Sequence, residues 1–518
     1  MRRVGGSWRT SRARRAEEAL PPTPRHARRR RRPAPRVVPV AAGVLVGLLV
    51  VMAGYAATSY QRFSGGVTRV DAISPRDGGT DDEVDLDGTA QNILLVGDDH
   101  RPAGATAEDL AKISTQDDGG AENTDTMIVL HVPADGASAT MISFPRDSWV
   151  PVPGHGENKL NAAFALGKRD GGGDDAAGAR LLVQTVEQLS GLRIDHYVRV
   201  SLLGFYDVVE ALGPVEVCLN QAVKDRWSGV DLPAGVSSLD ASQALAFVRQ
   251  RHGLPRGDLD RQVRQQYFLS MEARQLLSAG TLLNPVKLGR VLDAVSGSME
   301  TDADLDFVQL AGQLRHLRPD AITSATIPVL GTPTIRVGGS AVSIVQVDFA
   351  AMPVFVQGLV GLPAAYTDTP AAAPSSTQLV VTNGSGRGGA AAEASEGLAS
   401  LGFDVGEPGS ADVTTTTTVR YQAGSEGAAK AVVEAVPGAV PVVDPSATGV
   451  TLVLGTDGVA VRTGADAAAP EAPVLDAPAS DPPASSVPAA APEEAGEGTP
   501  APSPAPGGTT YAAGACIN

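Results

Sequence analysis

Along this chain the spacing of apolar positions changes character several times, and each change marks a boundary. Residues 37–57, "VVPVAAGVLVGLLVVMAGYAA", run for 21 residues without a charge. At 1.5 Å per residue that is enough to cross roughly 30 Å of hydrocarbon. The apolar part of a cleaved signal is shorter, about 7–15 residues, so the run is expected to be an uncleaved transmembrane helix. Residues 58–88 are acidic and Gly-rich with no apolar period, which predicts a flexible stalk. From residue 89 the pattern becomes globular. "NILLVGDD", "TMIVLHV" and "ATMISF" are short apolar runs of the kind found in buried strands. "GARLLVQTVEQLSGL" sets Leu181, Leu182, Thr185, Val186 and Leu189 on one helical face. "DHYVRVSLLGFYDVVEALGPVEV" then reads strand, helix, turn, strand. Strands alternating with helices predict an α/β layer architecture over residues 89–362.

A Pro/Ala/Ser linker at 363–376 separates this unit from a small α/β domain at 377–460. Beyond it, residues 461–518 are rich in Ala, Pro, Glu and Ser and are expected to be disordered. The small domain carries "GSGRGG" at Gly384–Gly389, with Asp404 twenty residues past Gly384, which fits the dinucleotide fingerprint locally. The domain is too short for two mononucleotide-binding halves, so the reading adopted is a tight strand-to-helix turn.

Charge sharpens the picture. The chain is acidic, at −16, yet residues 1–36 hold thirteen Arg against two Glu. Arginines flanking an apolar span stay on the cytoplasmic side, so everything after the span is expected outside the cell, anchored by a single pass. The basic arm suits anionic lipid headgroups, and no nucleic-acid partner is expected. Two cysteines, Cys218 and Cys516, occur in the whole chain. Outside the cytoplasm they can oxidise, and a disulfide between them would return the tail to the larger domain.

A second concentration of arginine lies inside the larger domain. "RQRHGLPRGDLDRQVRQQ", residues 249–266, holds Arg249, Arg251, Arg256, Arg261 and Arg264 but only Asp258 and Asp260 as carboxylates. "SLDASQALAFVRQR" predicts a helix with Asp240 as N-cap and Gln243 closing a capping box. A second helix is expected from about Asp258, with Arg261, Arg264 and Gln265 on one face. Too few carboxylates are present to pair these cations, and guanidinium groups suit bidentate contacts to phosphate oxygens. Asp99 and Asp125 follow strand ends, where carboxylates line a crevice and suit a hard divalent cation. Arg146, Asp147, Lys159 and Asn161 follow another strand. His100, His155 and His252 show no nucleophile–base arrangement. Carboxylates for a metal beside clustered arginines describe a pyrophosphate or phosphodiester site.

Taken in order, "NILLVGDDHR", "NTDTMIVLHV", "ISFPRDSWV", "NKLNAAFALG" and "LAFVRQRHGLPRGDLDRQVRQQ" resemble the LytR-CpsA-Psr family. "LVVTNGSGRGGAAAEASEGLASLGF" resembles the small C-terminal domain attached to actinobacterial members. The resemblance implies an α/β/α domain with a central mixed sheet and an apolar pocket for a polyprenyl chain. It implies transfer of a glycopolymer from a polyprenyl-pyrophosphate carrier to peptidoglycan, with formation of a phosphodiester. It also implies Mg²⁺ (or Mn²⁺) on Asp99 and Asp125. For the phosphates it implies Arg101, Arg146, Lys159, Arg249, Arg251, Arg261 and Gln265, with Asp258 and Arg264 in the same motif. Many members have Arg-Ser-Asp-Thr where this chain has Asn123-Thr124-Asp125-Thr126, and Asp98 stands in place of a small polar residue. The expected reaction is attack by a peptidoglycan hydroxyl on the sugar-linked phosphorus, with polyprenyl phosphate leaving. Asp99 is the first candidate for the base. Two other readings share these residues: a pyrophosphatase using water on the same lipid, and a non-enzymatic regulatory or binding protein of the cell envelope.

Overall fold

The computed structural model describes residues 58, 60–73, 90–98, 106, 108, 113, 124–282, 284–444, 447–462, 508–512 and 514–518. The Arg-rich arm, the apolar run at 37–57, and Asp99, His100 and Arg101 lie outside the described residues. Among those described, no helix is long and apolar enough to cross a membrane.

Eight strands build the central sheet: β1 (Thr68–Val70), β2 (Gln91–Asp98), β3 (Thr124–Val132), β4 (Ala139–Ser143), β5 (His196–Ser201), β6 (Met299–Asp302), β7 (Ile322–Thr326) and β8 (Thr509–Thr510). Their order is β1-β6-β5-β2-β3-β4-β7-β8. The pairs β1–β6, β2–β5 and β4–β7 are parallel and the others antiparallel, so the sheet is mixed. Side chains alternate across the pleat. Leu94, Val96, Met127 and Val129 therefore face one side of the sheet, and Ile93, Leu95, Ile128 and Leu130 face the other. Both faces are apolar because both are covered.

The helices that matter here are α1 (Ala162–Asp170), α2 (Asp175–Ser190), α3 (Leu202–Leu212), α4 (Ala241–Arg249) and α5 (Asp258–Leu276). α2 begins where the Asp174 carboxylate accepts from the Ala176 amide, and it stops at Gly191, whose φ of 72° releases the chain into a left-handed turn. Its stripe of Leu182, Val186 and Leu189 packs on Leu94 and Val96. Each such buried side chain contributes about 1.5–3 kcal/mol. On the opposite face Leu269 and Ala273 of α5 meet Ile128, Met141 and Ile322. The layers are α/β/α.

Two segments differ from the sequence reading. The expected stalk is not wholly a stalk. Residues 60–66 are helical, Thr68–Val70 adds strand β1 to the sheet, and Phe63 and Ala72 are buried. A three-residue strand is shorter than any window in which period is visible, and its partner β6 lies far along the chain. The expected disordered tail likewise returns at its end. Thr509 and Thr510 pair with β7, Tyr511 stacks edge-on against Tyr267, and Cys516 is disulfide-bonded to Cys218 across 298 residues.

The smaller domain is a second α/β unit. Residues 378–383, 450–454, 418–421 and 440–443 form adjacent strands, with helices Ala390–Ser400 and Glu426–Ala435 packed on them. In its "GSGRGG" loop the Asn383 side chain accepts from the Ser385 amide and donates to the Arg387 carbonyl. The loop is thus fastened to itself, as a turn.

Candidate functional site

The arginine-rich segment is shaped by two helix starts. Asp240 accepts from the Gln243 amide at 2.9 Å, and Gln243 accepts from the Asp240 amide at 3.1 Å, so the capping box forms as expected. α4 ends at Gln250 in extended conformation. The chain turns back through Gly253 and Gly257, with φ of 81° and 54°, and α5 starts at Asp258. Asp258 and Asp260 sit in the first turn of α5, where the helix dipole favours negative charge.

That re-entry brings Asp258 to the same arginines as Asp125, which does not follow a strand end as expected but is the second residue of β3. Arg146 binds the Asp125 carboxylate directly and lies 3.7 Å from Asp258. Arg251 spans the same two carboxylates, 3.8 Å from Asp125 and 3.4 Å from Asp258. Arg261 is 2.9 Å from Asp258 and donates to the Asp125 carbonyl at 3.4 Å. Lys159 joins the edge, 2.7 Å from Asp147, whose other oxygen is 3.6 Å from Arg146. Four cations thus surround three carboxylates. Burial lowers the Arg261 pKa to about 10, and the neighbouring Arg251 and Arg146 charges add to that, against the pull of Asp258 and Asp125. Arg146 is held above the ordinary arginine value, because Asp125 and Asp258 outweigh its burial.

The remaining expected residues disperse. Arg249 donates to the Ile113 carbonyl at 3.0 Å. Arg264 is fully buried over the Phe247 ring and binds the Gln250 side chain and the Asn518 carbonyl, with its pKa lowered to about 10 by burial. Gln265 donates to the Val248 carbonyl at 3.3 Å. Arg264 and Gln265 therefore brace α5 against α4 and the C-terminal segment, and the phosphate role expected for them is not what these contacts provide. One helical turn separates Arg261 from Gln265, but the partners that reach each position differ. Arg256 pairs with Asp260 within its own helix start, at 2.7 Å. His155 pairs with Asp170.

Sequence reasoning missed a second charged cluster. Arg199, in β5, is fully buried; it binds Asp98 at the end of β2, Asp175 at 3.0 Å and Glu300 at 3.1 Å, and lies 4.5 Å over the Phe164 ring. Lys168 reaches Asp175 at 2.6 Å. Burial alone would lower the Arg199 pKa, but Asp98, Tyr197 and Glu300 raise it well above the ordinary value. Asp98, the extra negative charge beside the expected metal carboxylate, is thus turned inward and neutralised. A signal was present: one Arg in the apolar strand "HYVRVS".

The Asp125 carboxylate is about one-third exposed (32%), so it is accessible to a ligand from solvent. Its hard oxygen donors fit a cation such as Mg²⁺, which keeps several waters and takes only one or two carboxylates. Among the described residues no group of three or more His, Cys, Asp and Glu stands together to hold a metal.

Known proteins give this geometry a context. The chain is 36% identical over 412 residues to "Cell wall biosynthesis protein LcpA" of Corynebacterium glutamicum, covering 74% of this chain and 78% of that one. It is 39% identical over 251 residues to "Probable cell wall biosynthesis protein LcpB" of the same organism, covering 48% and 57%. It is 32% identical over 272 residues to "Polyisoprenyl-teichoic acid--peptidoglycan teichoic acid transferase TagU" of Oceanobacillus iheyensis, covering 52% and 77%. Residues 376–457 match the domain described as LytR cell envelope-related transcriptional attenuator. Residues 59–352, more than half the chain and including every described member of both charged clusters, match the LytR_cpsA_psr model, and the chain belongs to that family.

Proposed function

We propose that this protein transfers a glycopolymer from a polyprenyl-pyrophosphate carrier to peptidoglycan, forming a phosphodiester. The observation that carries the reading is the cation excess around Asp125 and Asp258, in a chain similar to proteins named for cell-wall biosynthesis and teichoic acid transfer. Arg146, Arg251 and Arg261 hold the pyrophosphate from three directions. In doing so they spread the charge that grows on the bridging oxygen as polyprenyl phosphate leaves. Lys159, paired with Asp147, adds positive charge at the edge of the cluster. A hydroxyl of the acceptor glycan attacks the sugar-linked phosphorus, its proton passes to a carboxylate of the site, and the carrier's phosphate departs.

A divalent cation, Mg²⁺ or Mn²⁺, held by Asp125 together with Asp99, supplies further positive charge to the phosphate oxygens. Residues 37–57 anchor the chain in the cell membrane, with the N-terminal arm cytoplasmic and the catalytic domain outside.

The test uses full-length protein in lipid vesicles with lipid-linked glycopolymer and peptidoglycan. Polymer-linked glycan that appears only with both protein and divalent cation supports the reading. Equal release of polyprenyl phosphate with no acceptor present identifies a pyrophosphatase. Neither product identifies a binding protein.

A further inference from the structure

Beside the phosphate cluster stands an aromatic side chain that the reaction above does not use. Trp227 is 68% exposed, the most exposed aromatic of the larger domain's described residues. A single exposed apolar residue is ordinary. This one differs in how firmly it is held and in where it stands.

It sits at the tip of a hairpin formed by Val223–Asp225 and Val230–Leu232. The Asp225 carboxylate, itself buried, accepts from the Trp227 amide at 2.9 Å, and the Gly229 amide donates to the Asp225 carbonyl at 2.9 Å. Gly229, with φ of 83°, closes the turn. Val230 and Leu232 anchor the hairpin in the same core as Ala244 and Phe247 of α4. The tip is thereby tied to the helix whose end delivers Arg249 and Arg251. The same Asp225 lies 3.7 Å from His252, and the His252 ring is 5.6 Å from the indole. His252 is the residue after Arg251, and successive Cα atoms are about 3.8 Å apart. Through His252 the indole is thus tied to the chain position next to Arg251.

We propose that Trp227, with Arg226, Ser228 and His252, forms a carbohydrate subsite that takes a pyranose ring of the glycan adjoining the transferred phosphate. This rests on the transferase reading and adds to it where the sugar binds. A pyranose presents one face of polarised C–H groups, which is attracted to the negative face of an indole, while its hydroxyls need donors and acceptors at the rim. Arg226 lies over the ring, 4.6 Å from its centre, in the place the sugar takes. Arg226 is exposed, so for a sugar to stack there its guanidinium turns to the hydroxyls at the rim. Charged neighbours, with Asp225 beneath and the Lys224–Asp231 pair alongside, favour a hydroxylated ligand over insertion of the indole into a bilayer.

The test measures Trp227→Ala, Trp227→Phe and wild-type full-length protein in three arms. The first is the Kd for a disaccharide of N-acetylglucosamine and N-acetylmuramic acid, by isothermal titration. The second is the Kd for a short-chain prenyl-pyrophosphoryl disaccharide. The third is the thermal shift with inorganic pyrophosphate. The alanine variant is expected to weaken one saccharide by about tenfold or more, which is the scale of one lost aromatic contact. Trp227→Phe keeps most of the affinity, and the pyrophosphate shift is unchanged. Loss on the first ligand places the acceptor glycan at Trp227, and loss on the second places the donor's sugar there. Unchanged affinity for both overturns the subsite, as does loss of pyrophosphate binding together with the sugar. A wild-type protein that binds these sugars through Trp227 but transfers nothing defeats the transferase reading and leaves the subsite standing.

Discussion

Two arginine–carboxylate clusters lie near the ends of the central strands, and they are built on opposite plans. Around Arg199 one fully buried guanidinium, with Lys168 at the margin, meets three carboxylates from β2, α2 and β6. Around Asp125 and Asp258 four cations meet three carboxylates, and the central carboxylate is one-third exposed at 32%. The first is centred on a buried pair, Arg199 and Asp98, with Asp175 and Glu300 35% and 23% exposed at its margin, and carboxylates outnumber cations. It joins five elements at one point, β5, β2, α2, β6 and, through Lys168, α1. The second is rich in positive charge, and burial together with the Arg251 and Arg146 charges lowers the pKa of Arg261. A charged cluster in a fold is best read by its balance and its access to solvent. One centred on a fully buried guanidinium and carboxylate holds structure together, while one with an excess of cations around an accessible carboxylate is open to an anionic ligand.

Substitution at each cluster tests the contrast. Arg199→Met is expected to lower unfolding stability most, by about 3–5 kcal/mol, because it strands the buried Asp98 carboxylate without a counter-charge. Chemical denaturation measures it, and a loss below about 1 kcal/mol would show that the cluster is not structural. Arg251→Ala is expected to do the reverse. Its side chain is 38% exposed, so stability changes by less than about 1 kcal/mol, while transfer falls by roughly 100-fold. Pyrophosphate at about 100 times its Kd should stabilise the wild-type protein by about 2.7 kcal/mol, and the same concentration should do far less for the Arg251 variant. The smallest effect is expected at Arg256→Ala, which breaks only an ion pair with a 54% exposed arginine and should leave transfer within about twofold. A large loss of transfer there would extend the open cluster to the loop.

How much of this was legible in the sequence depends on the range over which each signal acts. The capping box at Asp240 and Gln243, the start of α5 at Asp258 and the buried stripe of α2 are local, and all were readable. The gathering of Arg251 and Arg261 near Asp125 was suggested by charge imbalance and by ordered motifs. What the pattern did not reveal was the division of labour on α5. Arg261 turns to Asp258, whereas Arg264, three residues on, turns to Gln250 and Asn518. Neither Gln250 nor the C-terminal segment can be assigned to that face from helical period alone. Asp98 looked like an added charge at the site until its partner Arg199 was seen, because only the β2–β5 pairing brings the two together. Strands β1 and β8 were missed because two or three residues carry no period, and their partners are remote in the chain.

The disulfide between Cys218 and Cys516, with β8 completing the sheet edge, also bears on how the molecule is made. Synthesis runs from the N-terminus, so the larger domain waits with one edge open while the smaller domain and the Pro/Ala-rich segment emerge behind it. A product that stops short of Cys516 lacks both the final strand and the covalent closure, a difference of about 2–5 kcal/mol by the usual worth of such a bond. Full closure of the larger domain therefore comes only with a chain read through to Cys516.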